Sequence, residues 1–325
     1  MEQRVLGRTG RQVGVVGLGA WQLGGDWGEV SEADALATLN AAVDAGVNFI
    51  DTADVYGDGR SEKIIGRLLR ERSGLTVATK MGRRVLQTPE AYKLGNFRAW
   101  TDRSRANLGV DTLDLVQLHC PPTAVFDDDE VFDGLDTLVA EGSIAAYGVS
   151  VETVGEALTA ISRPGVASVQ IILNMFRLKP LDEVLPAAAK AGVGIIARVP
   201  LASGLLTGRY GPQTVFAESD HRNFNRQGEA FDVGETFSGV EYGVGLQAAD
   251  RIRELVPAGM TMAQFALRWI IDQAGVSVVI PGARNSRQVR ANVVAADLPP
   301  LTAEAHAAVR QIYDELIRPQ VHHRW

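Results

Sequence analysis

The sequence predicts a (β/α)8 TIM barrel, because eight short apolar runs alternate with eight amphipathic helical patterns along its 325 residues. The runs are rich in β-branched residues, as is usual for parallel strands buried on both faces. Composition does not change between the two halves, which favours a single domain over residues 1–325. The alternative, an open doubly wound sheet, lacks its usual GxGxxG motif after the first strand.

The predicted elements begin with a β-hairpin at residues 5–16, where turn residues at 7–10 separate two apolar flanks. The barrel strands are predicted at 13–19, 47–53, 75–81, 114–119, 144–150, 167–173, 193–199 and 276–280. The eight helices of the repeat are predicted at 31–45, 61–72, 97–108, 128–141, 153–162, 182–191, 261–273 and 286–296. A further helix is predicted in the tail at 302–317.

A long segment after the seventh predicted strand, residues 203–242, breaks this repeat. It lacks periodicity but contains several aromatic residues, so we expect a packed functional loop rather than a disordered one. The residues after 317 are predicted to pack as a terminal extension, near the active-site mouth or at a subunit contact.

Composition limits the partners and the compartment. The net charge is −7 and no run is rich in Lys or Arg, whereas nucleic acids and anionic membranes favour a basic face. The single cysteine, Cys120, is typical of a reducing compartment. No signal peptide and no apolar run of about 18 residues is present. We therefore expect a cytoplasmic protein without nucleic-acid or membrane partners, and leave open whether it forms a homo-oligomer.

Ionisable side chains end three consecutive predicted strands. The second strand runs into Asp51 and Tyr56 follows after a short turn, while Lys80 ends the third strand and His119 the fourth. Any one of them alone would more often be a structural ion pair or a satisfied core group. Because the carboxyl ends of barrel strands form the active-site rim, however, all four are expected to converge there.

These four residues suit the delivery of a proton to a carbonyl oxygen. The ammonium of Lys80, held by Asp51, is expected to lower the pKa of Tyr56 from its ordinary value of about 10. His119 can orient the oxygen between itself and the tyrosine hydroxyl. The set contains no strong nucleophile and no metal ligands in a cluster, so we expect no metal and a hydride cofactor as the source of electrons.

Three neighbouring features are expected to be structural. The acidic run at 127–130 is predicted to cap a helix rather than bind a metal. Arg83 and Arg84 are predicted to lie in a solvated loop, with a role at the rim left open. Arg83 or an arginine of the long loop could there bind an anionic group of the substrate, whereas Trp21 would offer an apolar wall, and the sequence does not choose between these. Cys120 is predicted to be a small buried residue that faces away from His119.

Ordered motifs along nearly the whole chain resemble the aldo-keto reductase superfamily. GVNFIDTADVYGDGRSEKIIG (46–66) is similar to its most recognisable block, and VATKMG and LDLVQLHCPP carry Lys80 and His119. AAYGVSV, SVQIILN, RVPLASGLLTGRY and VIPGARNSRQVRAN resemble its later cofactor-binding blocks. The resemblance implies reduction of a small carbonyl substrate by NADP(H), with Tyr56 as proton donor, Lys80 and Asp51 assisting it and His119 orienting the substrate.

The resemblance also implies which residues contact the cofactor and the substrate. Ser150 and Gln170 would hold the nicotinamide carboxamide, and the loop at 282–292 would hold the adenosine end. The substrate pocket would include Trp21, Tyr56, His119 and part of the 203–242 loop. The whole set expected at the cofactor is Gly19, Ala20, Trp21, Ser150, Gln170, Arg198, Leu201, Ser203, Leu206, Gly282, Arg284, Gln288 and Asn292.

Three positions carry further expectations. Val151 stands where the family commonly has Asn, so one carboxamide hydrogen bond is expected to be missing. Arg198 stands where an aromatic residue often stacks on the nicotinamide, and its charge is expected to favour the reduced cofactor. Arg284 precedes a helix and is expected to bind the 2′-phosphate of NADP, unless Arg284, Arg287 and Arg290 form only a solvated helix face.

Two other function classes are alternatives. A cofactor-binding sensor occurs on the same fold among channel-associated relatives, but the complete catalytic group favours an enzyme. A metal-dependent barrel hydrolase would need clustered ligands, whereas three of the five histidines lie beyond the last predicted strand. Sugars, inositol-like ketones, aromatic aldehydes and small dicarbonyls all stay open as substrates.

Overall fold

The computed structural model of the protein describes residues 1–24 and 30–325. A two-stranded antiparallel hairpin comes first, and eight parallel strands follow. The strands are β1 (Gln3–Val5), β2 (Gln12–Gly14), β3 (Leu18–Gly19), β4 (Phe49–Asp51), β5 (Thr76–Met81), β6 (Leu115–His119), β7 (Tyr147–Ser150), β8 (Val166–Ile172), β9 (Gly194–Arg198) and β10 (Val276–Val279). Strands β3 to β10 are the first to eighth strands of the barrel.

Helices separate the barrel strands and extend beyond the last one. They are α1 (Trp21–Gly24), α2 (Glu32–Asp44), α3 (Arg60–Glu71), α4 (Leu94–Leu108), α5 (Asp129–Ala140), α6 (Val154–Ser162), α7 (Lys179–Asp182), α8 (Val184–Ala191), α9 (His221–Phe224), α10 (Tyr242–Arg253), α11 (Met262–Ile271), α12 (Ser286–Val293), α13 (Ala303–Ile312) and α14 (Arg318–Val321). A π-helical turn at Tyr313–Ile317 joins the last two. Short 3-10 turns lie at Gly7–Thr9, Pro89–Ala91, Thr123–Asp127, Ala202–Thr207, Val233–Glu235, Phe237–Gly239 and Val294–Ala296.

The strands pair in sequence order, which confirms the predicted (β/α)8 barrel. Isolated bridges between Val16 and Val279 and between Gly19 and Gly282 join the last strand to the first. The predicted hairpin is also present. Its Leu6 and Val13 form one buried cluster with Phe49 and other strand side chains. No helix within residues 1–24 and 30–325 is long and apolar enough to cross a membrane.

Local capping explains where several helices begin. The side chain of Ser31 accepts a hydrogen bond from the main chain of Asp34 at the start of α2, and Asp128 caps α5 through Glu130. Thr153 and Thr261 form capping boxes at the starts of α6 and α11. The acidic run at 127–130 is therefore a helix cap, as predicted.

Helix α10 was not predicted from the sequence. Glu241 caps it by accepting from the main-chain N–H groups of Gly243 and Val244. Two glycines in its first turns lower its helix propensity and obscure its pattern. One of them packs closely, because a Cβ atom on Gly245 would lie 2.7 Å from the side chain of Leu205 and would force that side chain to shift.

The long loop is packed, as predicted. The ring of Phe216 contacts those of Tyr210, Phe237 and Tyr242. The terminal extension packs against the same loop, because the indole N–H of Trp325 donates to Asp232 at 3.1 Å. The loop is therefore held from two sides.

Candidate active site

The four ionisable residues predicted from strand ends lie together at the carboxyl end of the barrel. Nζ of Lys80 donates to Oδ2 of Asp51 at 2.5 Å and to the main-chain oxygen of Thr52 at 2.9 Å. The same nitrogen lies 5.2 Å from the centroid of the Tyr56 ring. The rings of Tyr56 and His119 meet edge to face, with centroids 6.0 Å apart. Each strand thus brings its side chain to one point of the rim.

The turn after β4 places Tyr56 beside Lys80. The main-chain N–H of Tyr56 donates to the oxygen of Ala53. Gly57 follows with a φ of 58°, and a Cβ atom there would lie 2.3 Å from the main-chain oxygen of Gly24. Only glycine fits this turn where it meets α1.

The charge state of Tyr56 differs from the sequence-based expectation. Burial raises the pKa of the phenol above its ordinary value, and this outweighs the lowering by Lys80. The expected net lowering is therefore wrong, although Lys80 acts in the predicted direction. Burial alone would lower the pKa of Lys80, but Asp51 and Tyr56 together raise it. The site accordingly holds a neutral phenol next to an ammonium.

His119 is a neutral imidazole at this site. Burial lowers its pKa well below the usual range, and the positive charges of Arg83, Lys80 and Arg198 lower it further. Its Nδ1 is buried and has no hydrogen-bond partner among the described residues. A neutral imidazole with an unused nitrogen can bind and orient a ligand oxygen.

Two glutamines hold the other oxygen of Asp51. Nε2 of Gln170 donates to Oδ1 of Asp51 at 2.6 Å, and Nε2 of Gln117 donates to the same atom at 3.2 Å. Sequence reasoning missed Gln117, although its signal was a polar residue inside the apolar strand LVQLH. Gln170 was expected at the nicotinamide, and in the structure its amide nitrogen supports the catalytic carboxylate.

A cleft of about 470 Å³ joins these residues to the start of α12. It includes the expected substrate-pocket residues Trp21, Tyr56 and His119. Leu206 is not among the residues that line the cleft and its side chain is buried in the core, so its contact with the cofactor stays a prediction. The expected cofactor residues that line the cleft are Gly19, Ala20, Trp21, Ser150, Gln170, Arg198, Leu201, Ser203, Gly282, Arg284, Gln288 and Asn292.

The long loop brings aromatic side chains to the cleft and next to Trp21. The ring of Trp21 stacks on that of Tyr56 at a centroid distance of 5.9 Å and an angle of 17°. The ring of Phe231 from the loop contacts Trp21 edge to face, with centroids 5.8 Å apart. Tyr210 and Arg222 of the loop also line the cleft, where the sequence led us to expect part of this loop without naming its residues.

The far end of the cleft is formed by the start of α12. Asn285 caps this helix by accepting from the main chain of Gln288, whose side chain in turn accepts from the main chain of Arg284. Arg284 is exposed and lines the cleft, whereas Arg287 and Arg290 are exposed but lie outside its lining. Arg284 thus differs in position from Arg287 and Arg290, which lie on the solvated face of the helix.

Comparison with known proteins identifies the family. The family model described as Aldo/keto reductase family matches residues 15–314. The chain belongs to this family. As a member of this family, and like the relatives named as reductases and oxidoreductases, it is an oxidoreductase.

Similar proteins come from bacteria and plants. Aldo-keto reductase YhdN of Bacillus subtilis (strain 168) is 29% identical, covering 90% of this chain and 87% of the relative. A probable voltage-gated potassium channel subunit beta of Arabidopsis thaliana is 31% identical, covering 93% of each chain. The solved glycerol dehydrogenase of Gluconobacter oxydans is 31% identical with a TM-score of 0.76, covering 94% of this chain and 93% of its own.

This aldo/keto reductase also contains a buried group of charges beside the cleft, here called the rim cluster: Arg83, Glu152, Arg198 and Glu235. Nη2 of Arg83 lies 3.3 Å from Oε1 of Glu152 and 3.0 Å from Oε1 of Glu235. Nη2 of Arg198 lies 2.9 Å from Oε2 of Glu152, and its Nη1 lies 3.6 Å from Oε1 of Glu235. Each arginine thus contacts both carboxylates.

The rim cluster corrects two expectations. Arg83 is not in a solvated loop, because its side chain is only 18% exposed and is paired with two carboxylates. The charge of Arg198 is also paired, which removes the basis for expecting it to favour the reduced cofactor.

Cys120 does not face away from the site. Strand β6 ends at His119, and Cys120 has a φ of 46°, so the alternation of a strand no longer applies there. Its Sγ lies 3.4 Å from Oγ of Ser150 and 3.6 Å from Nη2 of Arg198. Burial raises the pKa of the thiol to about 12, which keeps it a poor nucleophile.

Proposed function

We propose that this aldo/keto reductase reduces an aldehyde or ketone to the alcohol, with NADPH as hydride donor and Tyr56 as proton donor. One observation carries the proposal: the neutral phenol of Tyr56 and the neutral imidazole of His119 face the same cleft, with the Lys80–Asp51 ion pair beside the phenol. A proton donor and a hydrogen-bonding group that converge on one point are what carbonyl reduction requires of a protein.

The residues of the cleft fit NADP(H). The cleft extends from the catalytic group to a helix start, where main-chain N–H groups and Arg284 suit phosphate. The buried Oε1 of Gln22, also on the cleft, has no hydrogen-bond partner among the described residues. A Cβ atom on Gly282 would lie 2.2 Å from that side chain, so glycine keeps this part of the cleft open.

The proposed contacts follow from this placement. Ser150 and Gln170 lie towards the catalytic end, and Leu201 and Ser203 lie along the wall formed after β9. Gly282, Arg284, Gln288 and Asn292 form the end assigned to adenosine 2′-phosphate. Solved aldo-keto reductases of Klebsiella pneumoniae, 24% identical to this chain, hold NADP or NADPH, although this degree of likeness carries only the fold.

The protein's part in the chemistry is the handling of one proton. NADPH, when bound, supplies a hydride to the carbonyl carbon. Tyr56 gives its phenolic proton to the carbonyl oxygen as negative charge develops there. Lys80 stabilises the phenolate that remains, because Asp51 keeps it charged despite its burial. His119 donates a hydrogen bond that orients the oxygen towards Tyr56.

An assay of NADPH oxidation with 4-nitrobenzaldehyde tests the proposal. We expect turnover by the wild type and at least a roughly 100-fold lower kcat for Tyr56→Phe, which keeps the ring but lacks the proton. The control is Tyr313→Phe, because that hydroxyl contacts His322 and is not part of the cleft lining. Full activity of Tyr56→Phe, with NADPH binding intact, would overturn the proposal.

A cofactor-binding sensor with little turnover is the second candidate. It is favoured by the likeness to probable voltage-gated potassium channel beta subunits of Arabidopsis thaliana and of Oryza sativa subsp. japonica, at 31% and 32% identity. Tight NADPH binding without reduction of any aldehyde or ketone in a broad panel would favour this candidate.

A further inference from the structure

The rim cluster joins four separate segments of the chain next to the catalytic group. Arg83 follows β5, Glu152 follows β7, Arg198 ends β9 and Glu235 comes from the long loop. Arg198 and Glu235 line the same cleft as Tyr56 and His119. A substrate held by the two catalytic side chains would therefore lie beside this cluster.

The charges of the rim cluster balance. Two guanidinium groups face two carboxylates, and each guanidinium contacts both. Behind the cluster, Arg177 and Asp232 add one group of each sign. His119 and Cys120 face it as neutral groups. The charges of these two arginines are thus largely neutralised by the carboxylates, although Nε of Arg198 has no hydrogen-bond partner among the described residues, and little attraction is left for a substrate anion.

Glu235 is fixed in its place by contacts of the long loop. Oγ of Ser203 donates to the main-chain oxygen of Glu235 at 3.0 Å and accepts from the main-chain N–H of Phe237, also at 3.0 Å. Asp232, three residues earlier, is bound by the indole of Trp325. A substrate carboxylate would have to displace a side chain whose main chain is held by Ser203 and whose carboxylate is paired with Arg83 and Arg198.

We propose that Glu235 is a specificity determinant that makes this site select uncharged carbonyl compounds over carboxylated ones. Its carboxylate occupies the position between Arg83 and Arg198 that a substrate carboxylate would otherwise take, and it repels a second anion. This inference rests on the proposed function, because it names the substrate class of the same site.

The test uses Glu235→Gln and two aldehydes of matched shape. 4-Nitrobenzaldehyde is neutral, and 4-carboxybenzaldehyde carries an anionic group of the same planar form. Burial raises the pKa of Glu152 to about 7, so the comparison is made at pH 8, where both carboxylates are ionised. We expect the wild type to prefer the nitro compound. In Glu235→Gln the ratio of the two kcat/KM values should shift towards the carboxylated compound by about tenfold or more.

Two further variants separate charge from other effects. Glu229→Gln is the matched control, because Glu229 is an exposed carboxylate of the same loop, and its ratio should equal that of the wild type. The double variant Arg83→Gln/Glu235→Gln leaves one guanidinium facing one carboxylate, and its ratio should return towards the wild-type value. An unchanged ratio in Glu235→Gln, with NADPH affinity and unfolding temperature retained, would overturn the inference.

A binding measurement distinguishes this inference from the proposed function. The affinity of benzoate for the protein–NADPH complex is measured by calorimetry at pH 8, which requires no turnover. Binding about tenfold tighter or more in Glu235→Gln supports the inference even if the wild type reduces neither aldehyde, a result that would count against the proposed function alone. Equal benzoate affinities in the wild type and Glu235→Gln would overturn the inference whatever the activity.

Discussion

Nζ of Lys80 lies 2.5 Å from Oδ2 of Asp51, and the two side chains are only 1% and 4% exposed. In such a buried pair each charge depends on the other, because neither has water to solvate it. The same contact keeps Lys80 protonated beside Tyr56. Stability and the proposed proton donation by Tyr56 therefore depend on one interaction.

We expect Asp51→Asn to lower the free energy of unfolding by about 3–5 kcal/mol, because it leaves the ammonium of Lys80 buried without its partner. Folding raises the pKa of Lys80, so the stabilisation is present at neutral pH and is lost as the pH rises through the folded-state value. Without Asp51 that pKa falls, and the alkaline limb of the pH–kcat profile should move to lower pH. Urea unfolding and the pH profile test both effects.

The control for Asp51→Asn is Asp44→Asn. Asp44 pairs with Arg72 at 2.9 Å but is 60% exposed, so its loss should cost less than about 1 kcal/mol. Equal costs for the two variants, with an unmoved pH profile in Asp51→Asn, would contradict the role given to the buried pair.

Asp54 gives a second pH effect, which also lowers stability as the pH rises but acts at a lower pH than the effect of Lys80. Burial and the nearby charge of Glu62 raise the pKa of this carboxyl to about 7, and neither oxygen has a hydrogen-bond partner among the described residues. The free energy of unfolding therefore falls as the pH rises from about 4 to about 7, because the carboxyl must ionise while it is buried. We expect Asp54→Asn to be more stable than the wild type at pH 8, by up to about 4 kcal/mol. The gain should shrink towards pH 4, and a gain independent of pH in urea unfolding would contradict this.

Arg284→Ala should weaken binding of NADPH by about 10- to 100-fold and that of NADH much less, because only NADPH carries the 2′-phosphate. Fluorescence titration of both cofactors measures this. Arg287→Ala is the matched control, since Arg287 lies on the same helix but outside the cleft lining, and both affinities should stay near wild type. Equal losses of NADPH and NADH affinity in Arg284→Ala would contradict the assignment of Arg284 to the 2′-phosphate.

Trp325 should stabilise the long loop mainly through its ring. The ring lies 3.9 Å from the guanidinium carbon of Arg177, and its N–H donates to Asp232. We expect Trp325→Ala to lower the free energy of unfolding by about 3–5 kcal/mol. Trp325→Phe, which keeps an aromatic ring and loses the hydrogen bond, should cost clearly less. If urea unfolding shows that Trp325→Phe loses as much free energy of unfolding as Trp325→Ala, the stabilisation comes from the hydrogen bond instead.

Much of the fold and of the catalytic group could be predicted because both follow from local patterns. Continuous apolar runs must be buried on both faces, and this requirement alone places strands inside a barrel. Polar residues at the ends of such runs must then lie at the rim, and Asp51, Lys80 and His119 are recognisable by that position in the sequence. The cytoplasmic location and the single-domain boundary stay predictions.

What could not be predicted depends on contacts between distant segments. Gln117 supports Asp51 across strands, and Glu235 reaches Arg83 from 152 residues away. The direction of the pKa shift of Tyr56 likewise depends on how deeply the ring is buried. The sequence by itself therefore determined the barrel and which four ionisable residues meet at its rim, through burial of apolar strands and the position of strand ends. Only the tertiary structure decided the charge states and the pairing of the rim cluster, because desolvation and ion pairing depend on which segments meet in space.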